Sequence, residues 1–198
     1  MKNKKLTVES MLAGTGIAEL NEMQQRAGES IGTQEKIILL SGTGTGKTLA
    51  YLLPLALQLD PTQKKTQALI IVPSRELALQ TEKVFKQLQT GYKFTSCYGG
   101  HLRETEENNL LEAPALIVGT PGRLCDHLRR GNISTEAIQI LVLDEFDKSA
   151  ELGFQEEISF IVEQLRSLNK RILISATDSG TLPAFLQMDG AVKMDFQH

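Results

Sequence analysis

KIILLSGTGTGKT, residues 36–48, is the stretch on which the fold turns. An apolar run, Lys36–Leu40, ends at Ser41 and gives way to a loop with Gly42, Gly44 and Gly46, after which Lys47 and Thr48 open a helical pattern. Glycines at this spacing let the backbone curl so that several N–H groups face inward, and the helix start behind them adds its positive end. A phosphate chain fits that concavity. Lys47 can reach β and γ phosphates, and the Thr48 hydroxyl can ligate Mg²⁺. The strict pattern has Gly where this chain has Ser41, a small departure; Thr43 and Thr45 complete the loop.

A phosphate loop requires an acid at the end of another buried strand to hold the metal. ILVLDEFDKSAELGF, residues 140–154, supplies it: the apolar run Ile140–Leu143 stops at Asp144, with Glu145 beside it and Asp147 two residues on. Asp144 is the expected metal ligand, and Glu145 can orient or deprotonate an attacking water. Lys47, Asp144 and Glu145 form the expected catalytic set of a nucleoside triphosphatase. Phe146, among these acids, either packs inward or lies over the nucleotide. Burial of a ring is worth roughly 1.5–3 kcal/mol, which favours inward packing.

The rest of the chain repeats the strand–helix alternation. Strands are expected at Lys36–Leu40, Ala68–Val72, Lys93–Cys97, Ala115–Gly119, Ile140–Leu143, Arg171–Ser175 and Ala191–Phe196. Helices are expected at Thr48–Leu59, Arg75–Thr90, Arg103–Leu111, Arg123–Arg130 and Phe154–Leu168, with two more near Val8–Ala13 and Ala18–Ala27. Continuously apolar strands joined through helices imply a parallel sheet covered on both faces. Ligands then bind at the carboxyl ends of the strands, where the small, polar and charged residues of this sequence collect.

At 198 residues, 41% hydrophobic and 23% charged, the chain fits one folded domain. A net charge of −3 excludes a globally basic body, so any polyanion contact is a local patch. No apolar run reaches the ~20 residues that span a bilayer, and no membrane partner is expected. Cys97 and Cys125, without metal-ligand spacing, suit a reduced, cytoplasmic setting. His101 and His127 are expected at the surface, Thr105–Asn109 on a solvated helix face, and Met11, Met23 and Met188 in the core.

In order along the chain stand SGTGTGKT (41–48), PSREL (73–77), GG (99–100), TPGR (120–123), DEFD (144–147) and SAT (175–177). Together, over about residues 14–198, they resemble the first domain of DEAD-box RNA helicases. The resemblance implies a three-layer α/β RecA-like P-loop domain with a mainly parallel, about seven-stranded sheet. It spans 1–198 as one domain, with N-terminal helices in 1–30 and the phosphate-loop core in 36–198. It also implies ATP or ADP with Mg²⁺ as ligands, and Ser175 and Thr177 bonded to Asp147 to couple nucleotide state to RNA. Phe146 falls where the family varies and reads as a tolerated substitution.

GIAELNEMQ (16–24) is similar to the family's adenine-recognising segment. Gln24 is its candidate, because an amide matches the N6 and N7 edge of adenine. Ile17 stands in place of an aromatic, and no aromatic occurs in residues 1–50. RNA contacts are expected from Pro73, Ser74, Arg75, Gly99, Gly100, Thr120, Pro121, Gly122 and Arg123. Arg75 and Arg123 sit in first helical turns, where the dipole disfavours a cation unless a phosphate answers it. Ser74 and Thr120 are natural N-caps, and Pro121 suits the first helical position. Such contacts address sugar and phosphate, so binding to single-stranded or duplex RNA would not depend on sequence.

The implied activity is ATP-dependent RNA unwinding by a monomer. The family's second RecA-like domain, which brings arginine fingers worth about 10³–10⁵ in rate in related sites, is absent from these residues, so the chain alone should turn over little. The alternative is a nucleotide-gated RNA clamp or assembly factor without turnover, which Ser41 and the altered adenine segment favour.

Overall fold

The computed structural model describes residues 6–100, 102–178 and 180–197. Seven strands form one parallel sheet in the order β3-β4-β2-β5-β6-β1-β7. They are β1 (Lys36–Ser41), β2 (Ala68–Ile71), β3 (Phe94–Cys97), β4 (Leu116–Gly119), β5 (Ile140–Leu143), β6 (Lys170–Ser175) and β7 (Val192–Phe196). The helices are α1 (Val8–Leu12), α2 (Glu22–Thr33), α3 (Lys47–Gln58), α4 (Arg75–Gln87), α5 (Arg103–Leu111), α6 (Pro121–Arg129), α7 (Phe146–Glu151) and α8 (Gln155–Gln164).

The central strands β2, β4 and β5 are apolar throughout because each serves two cores. Successive side chains point to opposite faces. Ala68, Ile70, Leu116, Val118, Ile140 and Val142 therefore join the layer of α2, α3 and α4. Leu69, Ile71, Ile117, Leu141 and Leu143 alternate with them and join the layer of α5, α6 and α8. Every residue of β2, β4 and β5 is buried. The expected three-layer RecA-like α/β architecture is the observed one.

Two elements differ most from expectation, while α4 and α8 end three and four residues early and α6 starts two residues early, at Pro121. α2 runs on to Thr33 through Gly28 and Gly32, because fully buried Ala27 and Ile31 hold it on the core despite poor helix formers. The acidic turn after β5 is itself a helix, α7, begun by Glu145 in left-handed backbone (φ 50°, ψ 50°). Met11, Met23 and Met188 are core residues as expected, and Cys97 and Cys125 are buried free thiols.

Candidate nucleotide site and RNA-facing edge

The loop 42–46 starts where β1 stops. Gly44 (φ 78°) and Gly46 (φ 89°) take left-handed backbone, and a Cβ on Gly46 would lie 2.5 Å from Gln24 Nε2. Ser41, the departure from the strict pattern, is fully buried, and its hydroxyl bonds the Thr45 hydroxyl at 2.8 Å. Thr45 Oγ1 in turn donates to Gly42 O at 3.0 Å. The serine thus braces the loop from below. Gly46 caps α3 without any side-chain bond to the first-turn N–H groups, and Lys47 Nζ rests on Ser41 O at 2.8 Å. Helix start and lysine together form a cradle for an anion.

Asp144 ends β5 nearby and is 2% exposed. Its Oδ2 accepts the Tyr51 hydroxyl at 3.0 Å, while Oδ1 is buried and has no hydrogen-bond partner among the described residues. Burial pushes this carboxyl up to about 6; the Tyr51 bond and the Lys47 charge work against the shift. Tyr51 itself is raised well above its usual value, first by burial and then by the Asp144 charge. An orphaned buried carboxylate oxygen beside Thr48, within a cleft of about 370 Å³ that Lys47 also lines, fits a hard divalent cation. Thr48 and Asp144 are the residues that would hold Mg²⁺.

Glu145, in the same cleft, pairs with Lys148 Nζ at 2.8 Å, which raises the Lys148 pKa. Its left-handed backbone is uncommon for a residue with a side chain and carries strain. Phe146 turns the other way: it is 2% exposed and sits in the core with α6 and α8, as inward packing predicts. Asp147 accepts from Thr177 Oγ1 at 3.2 Å and from the Ala176 amide at 3.2 Å through Oδ2. The expected bond from Ser175 to Asp147 is not formed. Ser175 Oγ instead donates to Thr177 O at 2.6 Å and accepts from Thr177 N at 3.2 Å, tightening the strand exit.

Gln24 is tied into the loop. Its Oε1 accepts from Asn21 N at 3.0 Å in the capping box of α2, and its Nε2 donates to Gly46 O at 3.3 Å. One Oε1 lone pair and one Nε2–H fasten α2 to the phosphate loop, and Asn21 Nδ2 adds a bond to Thr45 O at 3.2 Å. In this arrangement Gln24 is a strut of the loop that keeps a second lone pair and a second N–H on the lining of the cleft. Ile17 lines the same cleft in place of the missing aromatic.

The other half of the sheet carries the second set of residues. Ser74 caps α4 through a 3.2 Å bond from Leu77 N, whereas Thr120 makes no capping bond and α6 relies on Pro121 at its first turn. Arg75 lies over the Tyr98 ring, 5.3 Å from its centroid, and Pro73 is buried beneath this turn. Gly100 has φ 83°, and a Cβ there would come within 3.3 Å of Arg75 Nη1; Gly99 and Gly122 have open space around them. Arg123 Nε donates to Tyr98 O at 3.2 Å and pairs with Glu106 Oε2 at 3.1 Å. Arg75, Gly99–Gly100 and Thr120–Arg123 therefore share one edge, above β2, β3 and β4.

Two residues expected in solvent lie inside. His127 and Glu106 are fully buried and bonded to each other at 2.7 Å. The signal for Glu106 was its position one turn before Leu110, which puts it on the inner stripe of α5. His101 lies outside the described residues. A larger hollow of about 530 Å³, lined by Thr66, Leu110, Leu111 and Pro114, sits at the amino ends of the strands. It has neither a glycine loop nor strand-end acids.

Comparison with known proteins agrees with this geometry. The family model described as DEAD/DEAH box helicase matches residues 21–183. The chain is 35% identical over 144 residues to the ATP-dependent RNA helicase DeaD of Haemophilus influenzae, covering 71% of this chain and 24% of that protein. To DeaD of Escherichia coli it is 38% identical over the same length, covering 71% and 23%. The chain thus spans about a quarter of the length of the curated relatives it matches. A DEAD box protein from Methanococcus jannaschii superposes with a TM-score of 0.85 at 24% identity, covering 98% of this chain and 54% of that one. A hypothetical ATP-dependent RNA helicase from Sulfolobus tokodaii gives 0.83, also at 24% identity, covering 96% and 57%. With the phosphate loop, the strand-end acids and the sheet order all in place, the chain belongs to the DEAD/DEAH box helicase family.

Proposed function

We propose that this chain is the first RecA-like half of an ATP-driven RNA helicase, binding ATP with Mg²⁺ and gripping RNA through its backbone. The observation that carries the reading is the strand order. β5 stands between β2 and β6, so the nucleotide cleft over β1 and β5 adjoins the basic and glycine-rich edge over β2, β4 and β3. One turn, Asp144–Asp147, joins the cleft to the end of β6: Asp144 faces the cleft, and Asp147 ties α7 to Thr177.

The roles follow from the geometry. Lys47 exchanges its bond to Ser41 O for phosphate oxygens, and the first-turn N–H groups of α3 hold the rest of the phosphate chain. When bound, Mg²⁺ neutralises phosphate charge, and Thr48 and Asp144 are its protein ligands. Glu145 orients the attacking water and takes its proton once it leaves Lys148. RNA is held by Arg75, Arg123 and the backbones of the two glycine turns, without reading bases. We assign turnover to a pairing with a second RecA-like domain in the same polypeptide, and a monomer in a reduced, cytoplasmic setting; the two buried free thiols support that setting. No helix among the described residues is long and apolar enough to cross a membrane.

Titrating the chain with a fluorescent ADP analogue and Mg²⁺ tests the nucleotide half. Saturable binding, weakened at least tenfold by Lys47→Ala, is expected; equal binding by the variant would remove the phosphate-loop assignment. Joined to its second domain, the protein should show RNA-stimulated ATP turnover that Glu145→Gln abolishes while binding survives. Retained turnover in that variant would displace Glu145 as the base.

A further inference from the structure

Glu106 is a carboxylate with no exposed surface in a helix that otherwise faces solvent along most of its length. Burying such a charge is costly unless donors answer it. Donors from two segments do. Oε1 accepts the Tyr98 amide at 3.0 Å, immediately before the Gly99–Gly100 turn. Oε2 takes Arg123 Nε at 3.1 Å and His127 Nε2 at 2.7 Å, both from α6. His127 is itself held: the amide nitrogen of Asn132 lies 3.0 Å from Nδ1, so Nδ1 accepts and the ring proton is on Nε2, directed at Glu106. Asn132 thus fixes His127, His127 fixes Glu106, and Glu106 fixes Arg123 together with the backbone that leads into the glycine turn.

The geometry points to Glu106 as a positioning residue for RNA binding: it locks the Tyr98–Gly100 turn and Arg123 of the Thr120–Arg123 turn into one rigid edge, so that a phosphate meets a prearranged site. The inference rests on the RNA reading above. A metal is the competing use of this cluster, since Cys97, Glu106 and His127 place ligand atoms within 4.8 Å of one another. The arrangement disfavours it. Oε2 already carries two donors, one of them the Arg123 cation, and burial holds the Cys97 thiol protonated.

Replacing Glu106 by glutamine keeps the shape but puts an N–H group where only acceptors fit, because three donors converge on two oxygens. The test is fluorescence anisotropy of a labelled single-stranded oligouridylate with the 198-residue chain, measured across a salt series. Glu106→Gln should weaken binding about tenfold, the scale of one charge-assisted hydrogen bond. It should also lower the slope of log affinity against log salt by about 0.7, one phosphate contact on a single strand. Arg123→Ala should do the same, and the double variant should be no weaker than Arg123→Ala alone, because the two act as one unit. Mg²⁺–ADP affinity should stay within about twofold in all three, reporting an intact fold.

Glu106→Asp covers the case in which Glu106→Gln misfolds. It retains the buried charge but withdraws the carboxylate, so positioning predicts several-fold weaker RNA binding and an unchanged melting temperature within a few degrees. RNA affinity equal to the parent in Glu106→Asp, or additive losses in the double variant, overturns the inference while leaving the RNA reading standing. A parent chain that binds no RNA overturns both.

Discussion

The Tyr51 hydroxyl on α3 donates to Asp144 Oδ2 at 3.0 Å, and both side chains are buried. One carboxylate oxygen is thereby committed to the protein and the other left for a metal. Tyr51→Phe keeps the ring and deletes the bond. Since that bond opposes the rise of the Asp144 pKa, the variant should shift it further above about 6. The Mg²⁺ concentration for half-maximal ADP binding should then rise several-fold at pH 6.5 and hardly at pH 8.5. A pH-independent effect would mean that the hydroxyl acts on shape alone.

The same raised carboxyl makes the nucleotide-free protein less stable in alkali. A group whose folded pKa lies above its unfolded value contributes its stability in full below the unfolded value and loses it as pH climbs through the folded one. For Asp144 the window runs from the usual 3.8 to about 6. At roughly 1.36 kcal/mol per unit the loss is on the order of 3 kcal/mol by pH 8. Asp144→Asn should therefore raise the melting temperature at pH 8 by several degrees and leave it unchanged near pH 4, while abolishing the Mg²⁺ dependence of nucleotide binding. Calorimetry at the two pH values checks the first part, and an ADP titration with and without Mg²⁺ the second.

Gln24→Ala should behave as a loop mutant. Losing the capping-box partner of Asn21 costs about 1 kcal/mol at the start of α2. Losing the bond to Gly46 O loosens the phosphate cradle. ADP and GDP should weaken together, by three- to tenfold, with their ratio within about threefold of the parent. A selective loss of ADP would show that the amide leaves Asn21 and Gly46 to read adenine.

Phe146→Ala empties a site within the core beneath the Asp144–Asp147 turn. A cost of about 3 kcal/mol or more is expected for a buried ring, with Mg²⁺–ADP affinity within about threefold. Melting temperature and affinity on the same variant decide it. Tighter nucleotide binding without loss of stability would mean that the ring reaches the cleft after all.

All seven strands stand within about a residue of where the sequence puts them; for β2, β4 and β5 the reason is that a strand buried on both faces is a run of apolar residues bounded by turns. Helix ends were less legible. α7 escaped notice: six residues starting at a strained Glu145 show no periodicity, and only packing against β6 makes them helical. In the site, backbone-determined features were readable, including the glycine loop, the acid at the end of β5 and the inward turn of Phe146. Hydrogen bonds between distant segments were not, apart from Thr177 to Asp147, which the family resemblance implied. Glu106 among seven consecutive polar residues, 103–109, looks solvated until His127 and Arg123 arrive from α6. Nothing in the sequence shows that Gln24 also bonds Gly46 O and braces the phosphate loop. Tyr51, in a helix that is apolar nearly all round, gives no hint that its hydroxyl meets an acid.

The strand order also sets a timetable. β1 has β6 on one side and β7 on the other, so neither neighbour exists when β1 leaves the ribosome. At synthesis rates of about 5–20 residues per second, the wait is on the order of ten seconds. For that interval Ile37, Leu39 and Leu40, all buried in the finished fold, have no strand to lie against. β2, β3 and β4 can meanwhile pair with one another. The nascent protein should accordingly assemble the edge over β2, β3 and β4 first and acquire nucleotide affinity only when Lys170–Ser175 has been made and can join β1 to β5, with an unpaired apolar strand open to chaperones until then.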